Sequence, residues 1–210
     1  YNNSMIIGIC GFIGCGKDSV ADYLINEHGY SRESFAGNLK DAVSVIFGWD
    51  RDMLEGRSKA AREQREQVDP WWAEKLNMPT LTPRWVLQYW GTEVARKSFH
   101  NDIWIHSLER KLQNKTDVVI TDCRFPNEVK SITRNKGLVI WVQRGDLPAW
   151  YEIGKDAASG HKEAIAEMNH LGVHASEWSW LNTEFDVTIQ NNGSLSDLYD
   201  NIERFLKVSD

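Results

Sequence analysis

The sequence lacks the features of a membrane-spanning, secreted or polyanion-binding protein. No hydrophobic run approaches the roughly 20 residues that a membrane helix needs. No signal peptide precedes Met5, so we interpret residues 1–4 as a cloning remnant and Met5 as the natural start. The three cysteines are odd in number and have no CxxC spacing, which favours a reduced, cytoplasmic protein. The net charge of −6 argues against a broad nucleic-acid surface.

Strand and helix patterns alternate at both ends of the 210-residue chain. Short apolar runs predict strands over 5–10, 118–121, 138–142 and 186–190, with a further one near 30–35. Helical spacing follows them, over 17–27, 126–135 and 194–206. This alternation is typical of a doubly wound parallel α/β sheet. We expect one domain over residues 5–210, with two interruptions.

The first interruption, at about 36–115, is mainly helical and carries six of the ten tryptophans. Its mixed-charge stretch 50–69 is interpreted as a solvated helix face. Thr82 and Pro83 open a helix that we expect to run to about 98, and another should follow from 101 or 102 to near 115. The second interruption, at about 145–183, is expected to be irregular and rich in polar turns.

The strongest motif follows the first strand directly. Residues 11–17 read Gly-Phe-Ile-Gly-Cys-Gly-Lys, which is the G-x-x-x-x-G-K spacing of a phosphate-binding loop, and a predicted helix begins at its end. Gly11, Gly14 and Gly16 let backbone amides wrap the phosphates of ATP, and the helix N-terminus adds partial positive charge. Lys17 would bridge the β- and γ-phosphates.

One position of the motif departs from the usual pattern. Asp18 stands where Ser or Thr normally binds Mg²⁺, and Ser19 follows it. Asp18 would either approach the metal, partly through water, or turn away to cap its helix or pair with an arginine while Ser19 contacts a phosphate. We favour the first arrangement.

A second carboxylate, Asp122, ends the Val-Val-Ile-Thr strand, and ligands of such sheets bind at the carboxyl ends of strands. Asp122 could hold Mg²⁺ or orient the attacking oxygen, and Arg124 could reach the transferred phosphoryl group. The structural alternative is that Asp122 caps the helix that begins at Pro126. His170 and His174, four residues apart, lack a third ligand for zinc.

With these motifs in hand, the chain resembles the deoxynucleoside monophosphate kinases of tailed bacteriophages. The resemblance extends over nearly the whole chain, and the R-x-x-L-Q-x-x-G-T-E pattern is its most specific feature. This chain has Phe12, Ile13 and Gly14 where members of that family often have basic residues. The anchors are GFIGCGKDSVADYL (11–24), FAGNLKDAV (35–43), TPRWVLQYWGTEVAR (82–96), VVITDCRFPNE (118–128), VQR (142–144), HASE (174–177) and NNGSLSDLYDNI (191–202).

The resemblance implies an ATP-binding core, an acceptor-binding helical insertion and a lid over 145–183. It also implies Mg²⁺ as cofactor and the cytoplasm of an infected cell as location, and it leaves monomer and homodimer open. Since the lid has lysines but no arginine, Arg124 and Arg144 at strand ends are better placed to stabilise the transferred phosphoryl group. Carried over by motif, the acceptor site would be lined by Lys40, Arg84, Gln88, Thr92 and Arg96.

Two other functions remain open from the sequence. The same loop with Asp after the lysine occurs in other small-molecule kinases, of the phosphomevalonate or dephospho-coenzyme-A type. A regulatory ATP-binding module without an acceptor would show slow hydrolysis and no dependence on a second substrate.

Overall fold

The computed structural model describes residues 4–209. Residues 1–3, most of the interpreted cloning remnant, lie outside that range. The described chain forms two compact units. One comprises the chain up to Phe35 and from Glu109 onward, and the other, the helical unit, is Ala36–Leu108.

All the strands of the described range belong to the first unit, and each hydrogen-bonded pair is parallel. Their spatial order is β2-β3-β1-β4-β5, so the predicted parallel α/β sheet is confirmed. The strands are β1 (Ile6–Cys10), β2 (Ser31–Glu33), β3 (Val118–Ile120), β4 (Leu138–Gln143) and β5 (Val187–Gln190).

Most of the predicted helices lie within a few residues of their expected bounds. In chain order, the helices are α1 (Lys17–His28), α2 (Gly37–Phe47), α3 (Arg51–Glu55), α4 (Lys59–Arg65), α5 (Pro70–Leu76), α6 (Pro83–Tyr89), a π-helix (Trp90–Lys97), α7 (Ile103–Leu112), α8 (Pro126–Arg134), α9 (Tyr151–Ala158), α10 (Lys162–His170), a 3₁₀ turn (Ala175–Glu177) and α11 (Leu195–Ser209).

Helices cover both faces of the sheet, as the alternating side chains of β1 show. Ile7 and Ile9 are fully buried in one core cluster with side chains of α1 and α11. Gly8, between them, faces the opposite side, where a Cβ would lie 3.0 Å from the Ile132 side chain of α8. Successive strand residues point to opposite faces, so the sheet is doubly wound.

The helical unit has its own apolar core, built around Val43, Phe47, Trp49, Leu54 and Val86. The rings of Phe47 and Trp49 stack with centroids 4.7 Å apart. As predicted, the Thr82 hydroxyl caps α6 by accepting from the backbone N–H of Trp85 at 3.1 Å. The helix then continues as a π-helix rather than a regular α-helix.

Two sequence-based expectations need correction. The 145–183 segment is not mainly irregular, since α9, α10 and the 3₁₀ turn occupy much of it. In the 50–69 stretch, α4 buries no residue and fits a solvated face, but α3 buries Met53 and Leu54.

None of the described helices combines the length and apolar character needed to cross a membrane.

Candidate active site

The loop between β1 and α1 has the backbone that a phosphate cradle requires. Gly16 caps α1 with φ 101° and ψ 21°, a left-handed conformation that glycine adopts without steric cost. At Gly11, an added Cβ would lie 2.5 Å from the Cys15 sulfur and 2.7 Å from the Val142 carbonyl oxygen. The loop therefore packs closely on itself and on β4, and a side chain at either glycine would distort it.

Asn191, at the carboxyl end of β5, connects the loop to the sheet by hydrogen bonds. Its side chain is buried and its Nδ2 donates to the Cys15 carbonyl oxygen at 2.9 Å. Its backbone N–H donates to the Gln143 carbonyl oxygen at 2.7 Å, which ties it to β4. Sequence reasoning gave Asn191 no role, although it opens one of the stretches on which the family resemblance depends.

Lys17 is the first residue of α1 and points back over the loop. Its Nζ donates to the carbonyl oxygens of Gly11 at 2.8 Å and Phe12 at 3.4 Å. Burial lowers the pKa of the Lys17 ammonium, and the nearby positive charge of Arg124 lowers this pKa further, against the opposing effects of Cys15 and Asp18. An anion bound beside Lys17 and Arg124 would stabilise the charged form of Lys17 and so raise this pKa again.

Asp122 and Arg124 come from the strand next to the loop strand, since β3 pairs with β1. Asp122 Oδ1 accepts from the backbone N–H of Phe35 at 3.0 Å. In the first turn of α8, the Glu128 carboxylate reaches back and accepts the N–H groups of Arg124 and Phe125, both at 3.0 Å.

A small cavity of about 20 Å³ lies at the mouth of the loop. The loop and the residues after β3 form its walls, and Ser176 and Glu177 of the 3₁₀ turn form another side. Such a volume holds about one water molecule, so a phosphoryl group would have to displace side chains from it. The lining residues are Gly11, Phe12, Ile13, Lys17, Thr121, Cys123, Arg124, Ser176 and Glu177.

Asp18 contacts an arginine in the structure, which is the second of the two arrangements left open by the sequence. Its Oδ1 lies 3.1 Å from Arg32 Nη1, and its side chain is 83% exposed. Ser19 is partly buried in the first turn of α1.

In the helical unit, two of the five expected acceptor residues are ion-paired. Arg84 Nη1 lies 2.7 Å from Glu66 Oε1, and Lys40 Nζ lies 3.4 Å from Glu55 Oε1. Gln88 is exposed on α6, while Thr92 and Arg96 are partly exposed on the π-helix.

An open cleft of about 710 Å³ also lies in the helical unit. Among the described residues, its lining includes four carboxylates and only two basic side chains. The carboxylates belong to Asp41, Asp50, Asp52 and Glu55, and the basic side chains to Arg51 and Arg57. This charge balance would repel a monophosphate, so the cleft is a poor acceptor site.

Two further residues that the sequence singles out, Arg144 and His174, lie beside or within the second interruption, 145–183. Arg144 follows β4 directly and is exposed. His174 caps the 3₁₀ turn, because its Nδ1 accepts from the Ser176 N–H at 3.1 Å. Within residues 4–209, His100, Asp102 and His106 bring one possible ligand atom each to within 4.8 Å of one another, and neither His170 nor His174 belongs to this group.

Two viral proteins are similar to the chain over much of its length. A protein of Acanthamoeba polyphaga mimivirus, named as a deoxynucleotide monophosphate kinase, is 33% identical over 211 residues that cover 94% of each chain. The deoxynucleoside-5′-monophosphate kinase of Escherichia phage T5 is 31% identical over 175 residues, covering 60% of this chain and 70% of the phage protein. No profile of a known protein family matches the chain.

Among solved structures, shikimate kinase from Aquifex aeolicus superposes with a TM-score of 0.45 at 11% identity over 98% of each chain. Dephospho-CoA kinase from Campylobacter jejuni gives 0.44 at 15% identity, over 96% of this chain and 95% of that one. Scores this low carry no part of the functional assignment.

Proposed function

This chain belongs to the family of viral deoxynucleoside monophosphate kinases, and we propose that it transfers the γ-phosphoryl group of ATP to a deoxynucleoside 5′-monophosphate at the loop between β1 and α1. The observation that carries the placement of the site is the approach of two cations, Lys17 and Arg124, at the mouth of a glycine loop. Such a pair, beside the backbone amides of a glycine loop at a helix N-terminus, favours the binding of polyphosphate.

The residues of this site have complementary roles in the proposed transfer. Backbone amides of the loop and the Gly11, Gly14 and Gly16 turns hold the phosphates, with Ser19 at the start of α1. Lys17 neutralises the β- and γ-phosphates, and Arg124 neutralises the charge on the equatorial oxygens of the transferred group. Phosphoryl transfer needs mainly positioning and charge stabilisation, because the acceptor phosphate is already anionic.

Mg²⁺ fits the oxygen donors at the carboxyl end of β3. Asp122 offers a carboxylate held by the Phe35 N–H, and carboxylates are the ligands that Mg²⁺ prefers. When bound, Mg²⁺ would neutralise charge on the β- and γ-phosphates. Asp18 could act only through water or by leaving Arg32, so we place Asp122 first and Asp18 second.

For the acceptor, we propose Arg84, Gln88, Thr92 and Arg96, together with Lys40. Arg84 and Lys40 exchange their carboxylate partners for the monophosphate, and an amide such as Gln88 can read a base edge. In this proposal the 36–115 insertion binds the acceptor and the 145–183 insertion acts as a lid, with Arg144 at its base. The buried free thiols of Cys10, Cys15 and Cys123 support a reducing cytoplasm as the place of action.

Replacing Arg84 by alanine should raise the KM for the monophosphate at least about tenfold and leave the KM for ATP within about twofold. An arginine contact to a phosphate is a charge-assisted hydrogen bond, whose loss costs this much or more. Steady-state kinetics with each substrate varied in turn measures both constants.

The matched control is Arg57→Ala, which removes an exposed arginine of the acidic cleft. We expect normal constants for it. A selective loss of ATP affinity in the Arg84 variant, or a raised monophosphate KM in the Arg57 variant, would show that the acceptor site is misplaced.

A coupled assay of ADP release tests the proposed function itself. We expect release that depends on a deoxynucleoside monophosphate, with none from dephospho-coenzyme A or phosphomevalonate. Slow release that no acceptor stimulates would instead indicate the regulatory ATP-binding module.

A further inference from the structure

Glu177 is the only acidic residue among the described residues that line the cavity at the mouth of the phosphate loop. Its neighbours in that lining include both cations of the site, Lys17 and Arg124. It lies within the His-Ala-Ser-Glu stretch 174–177, which supports the family resemblance but for which the sequence predicts no chemical role.

The position of Glu177 is well defined by its surroundings. Its backbone N–H donates to the His174 carbonyl oxygen at 2.9 Å, inside the 3₁₀ turn. The next residue, Trp178, is buried, and Trp180 is almost fully buried. The ring of Trp180 packs on the ring of Phe12 in the phosphate loop, with centroids 5.1 Å apart. The turn that carries Glu177 is therefore attached to the loop by an aromatic contact.

The aromatic contact is part of a larger cluster around Phe12. Rings of Trp150 and Tyr151, at the start of α9, lie 5.5 and 6.4 Å from the Phe12 ring, edge to face. Phe12 occupies a loop position where the resembling kinases often have basic residues. Here the loop gains packing against the 145–183 segment in place of a side-chain charge.

The electrostatic role of Glu177 depends on what fills the cavity. Within residues 4–209, its carboxylate has no ion pair within 4.0 Å, and it is only partly exposed. A triphosphate that arrives without a metal would bring negative charge next to this carboxylate and be repelled. A divalent cation carried by the phosphates would turn the same contact into an attraction.

We propose that Glu177 is a metal-side carboxylate of the phosphoryl-transfer site, which makes nucleotide binding selective for the Mg²⁺ complex of ATP over the free nucleotide. The proposal rests on the proposed function, since it takes the loop as the ATP site. Asp122 is the other carboxylate proposed for the metal, whereas the exposed Asp18 is turned toward Arg32.

This role predicts that removing the Glu177 charge has opposite effects on the affinities for the Mg²⁺ complex and for the free nucleotide. Isothermal titration with the non-hydrolysable analogue AMP-PNP is run once with Mg²⁺ and once with EDTA, on the full chain and on Glu177→Gln. We expect the variant to bind the Mg²⁺ complex roughly five- to tenfold more weakly and the free analogue more tightly, by about two- to fivefold, because two unit charges about 4 Å apart in water interact by about 1 kcal/mol. Glu177→Asp, which keeps the charge, should lie between the variant and the natural chain.

The control is Glu184→Gln, which removes an exposed carboxylate that is not part of the cavity lining. It should change neither affinity. Equal weakening of both nucleotide forms in Glu177→Gln would indicate a purely structural role, and no change in either would place Glu177 outside the site. Both outcomes overturn the proposal. If the natural chain itself fails to bind AMP-PNP with Mg²⁺, the proposed function fails first.

Discussion

Lys17→Ala should lower kcat by about 10²–10³ while the protein remains folded. Loss of one preorganised cation or donor that acts mainly in the transition state has this effect in other enzymes, equivalent to ~3–4 kcal/mol. Burial and Arg124 lower the pKa of the Lys17 ammonium, so the charged form is disfavoured in the folded chain. Removing this charge should therefore not lower the free energy of unfolding. Steady-state kinetics at saturating substrates and far-ultraviolet circular dichroism measure the two quantities.

A matched control for this substitution is Lys130→Ala, which removes an exposed lysine of α8 in the same unit. It should keep normal turnover. If Lys17→Ala were folded and nearly as active as the natural chain, the loop between β1 and α1 would not be the phosphate-binding element.

Arg124→Ala should lower kcat by at least about 10², and Arg124→Lys should recover only part of the loss. Arginine presents a planar fork that matches phosphate oxygens, whereas lysine offers a single point charge. Arginines that stabilise a transferred phosphoryl group can contribute more than this. Since Arg124 also lowers the Lys17 pKa, its removal should raise that pKa, and the fold should be unaffected.

Arg204→Ala serves as the control for Arg124, because Arg204 is exposed on α11. A drop in ATP affinity alone, at unchanged kcat, would mean that Arg124 binds the ground state and does not act on the transferred group. Equal losses in the Arg124 and Arg204 variants would point to a nonspecific effect of lost charge.

Local signals in the sequence are sufficient to predict the strands and helices near both ends of the chain. The β1 strand, the glycine loop and α1 follow one another within 28 residues, so short-range pattern rules identify them. The same is true of the Thr82 cap and of the strand that leads to Asp122. That Asp122 lies close to the glycine loop also follows from the sequence, because neighbouring strands of a parallel sheet end at the same edge.

The middle of the second insertion could not be predicted in this way. Helices α9 and α10 bury few large side chains, only Met168 among those of α10, so the apolar periodicity that signals a helix is weak. The π-helix was also missed, because its extra residue per turn depends on tertiary packing rather than on local propensity.

Residues that reach the candidate site through long-range contacts could not be predicted for a related reason. Asn191 reaches the loop across 176 positions, and no local pattern identifies its hydrogen bond to the Cys15 carbonyl oxygen. Glu177 lies in a stretch that was noticed only through the family resemblance. The ion pair of Asp18 with Arg32 likewise depends on how α1 lies beside β2, so the sequence left its two arrangements open.

Identification of the product tests the central claim most directly. The full chain is incubated with ATP, Mg²⁺ and each deoxynucleoside monophosphate in turn, and the nucleotides are separated by ion-exchange chromatography. We predict a deoxynucleoside diphosphate formed in equal amount to ADP, and its formation about 10²–10³ times more slowly when Lys17→Ala replaces the natural chain. ADP accompanied by inorganic phosphate, with the monophosphate unchanged, would contradict the assignment of this protein as a deoxynucleoside monophosphate kinase.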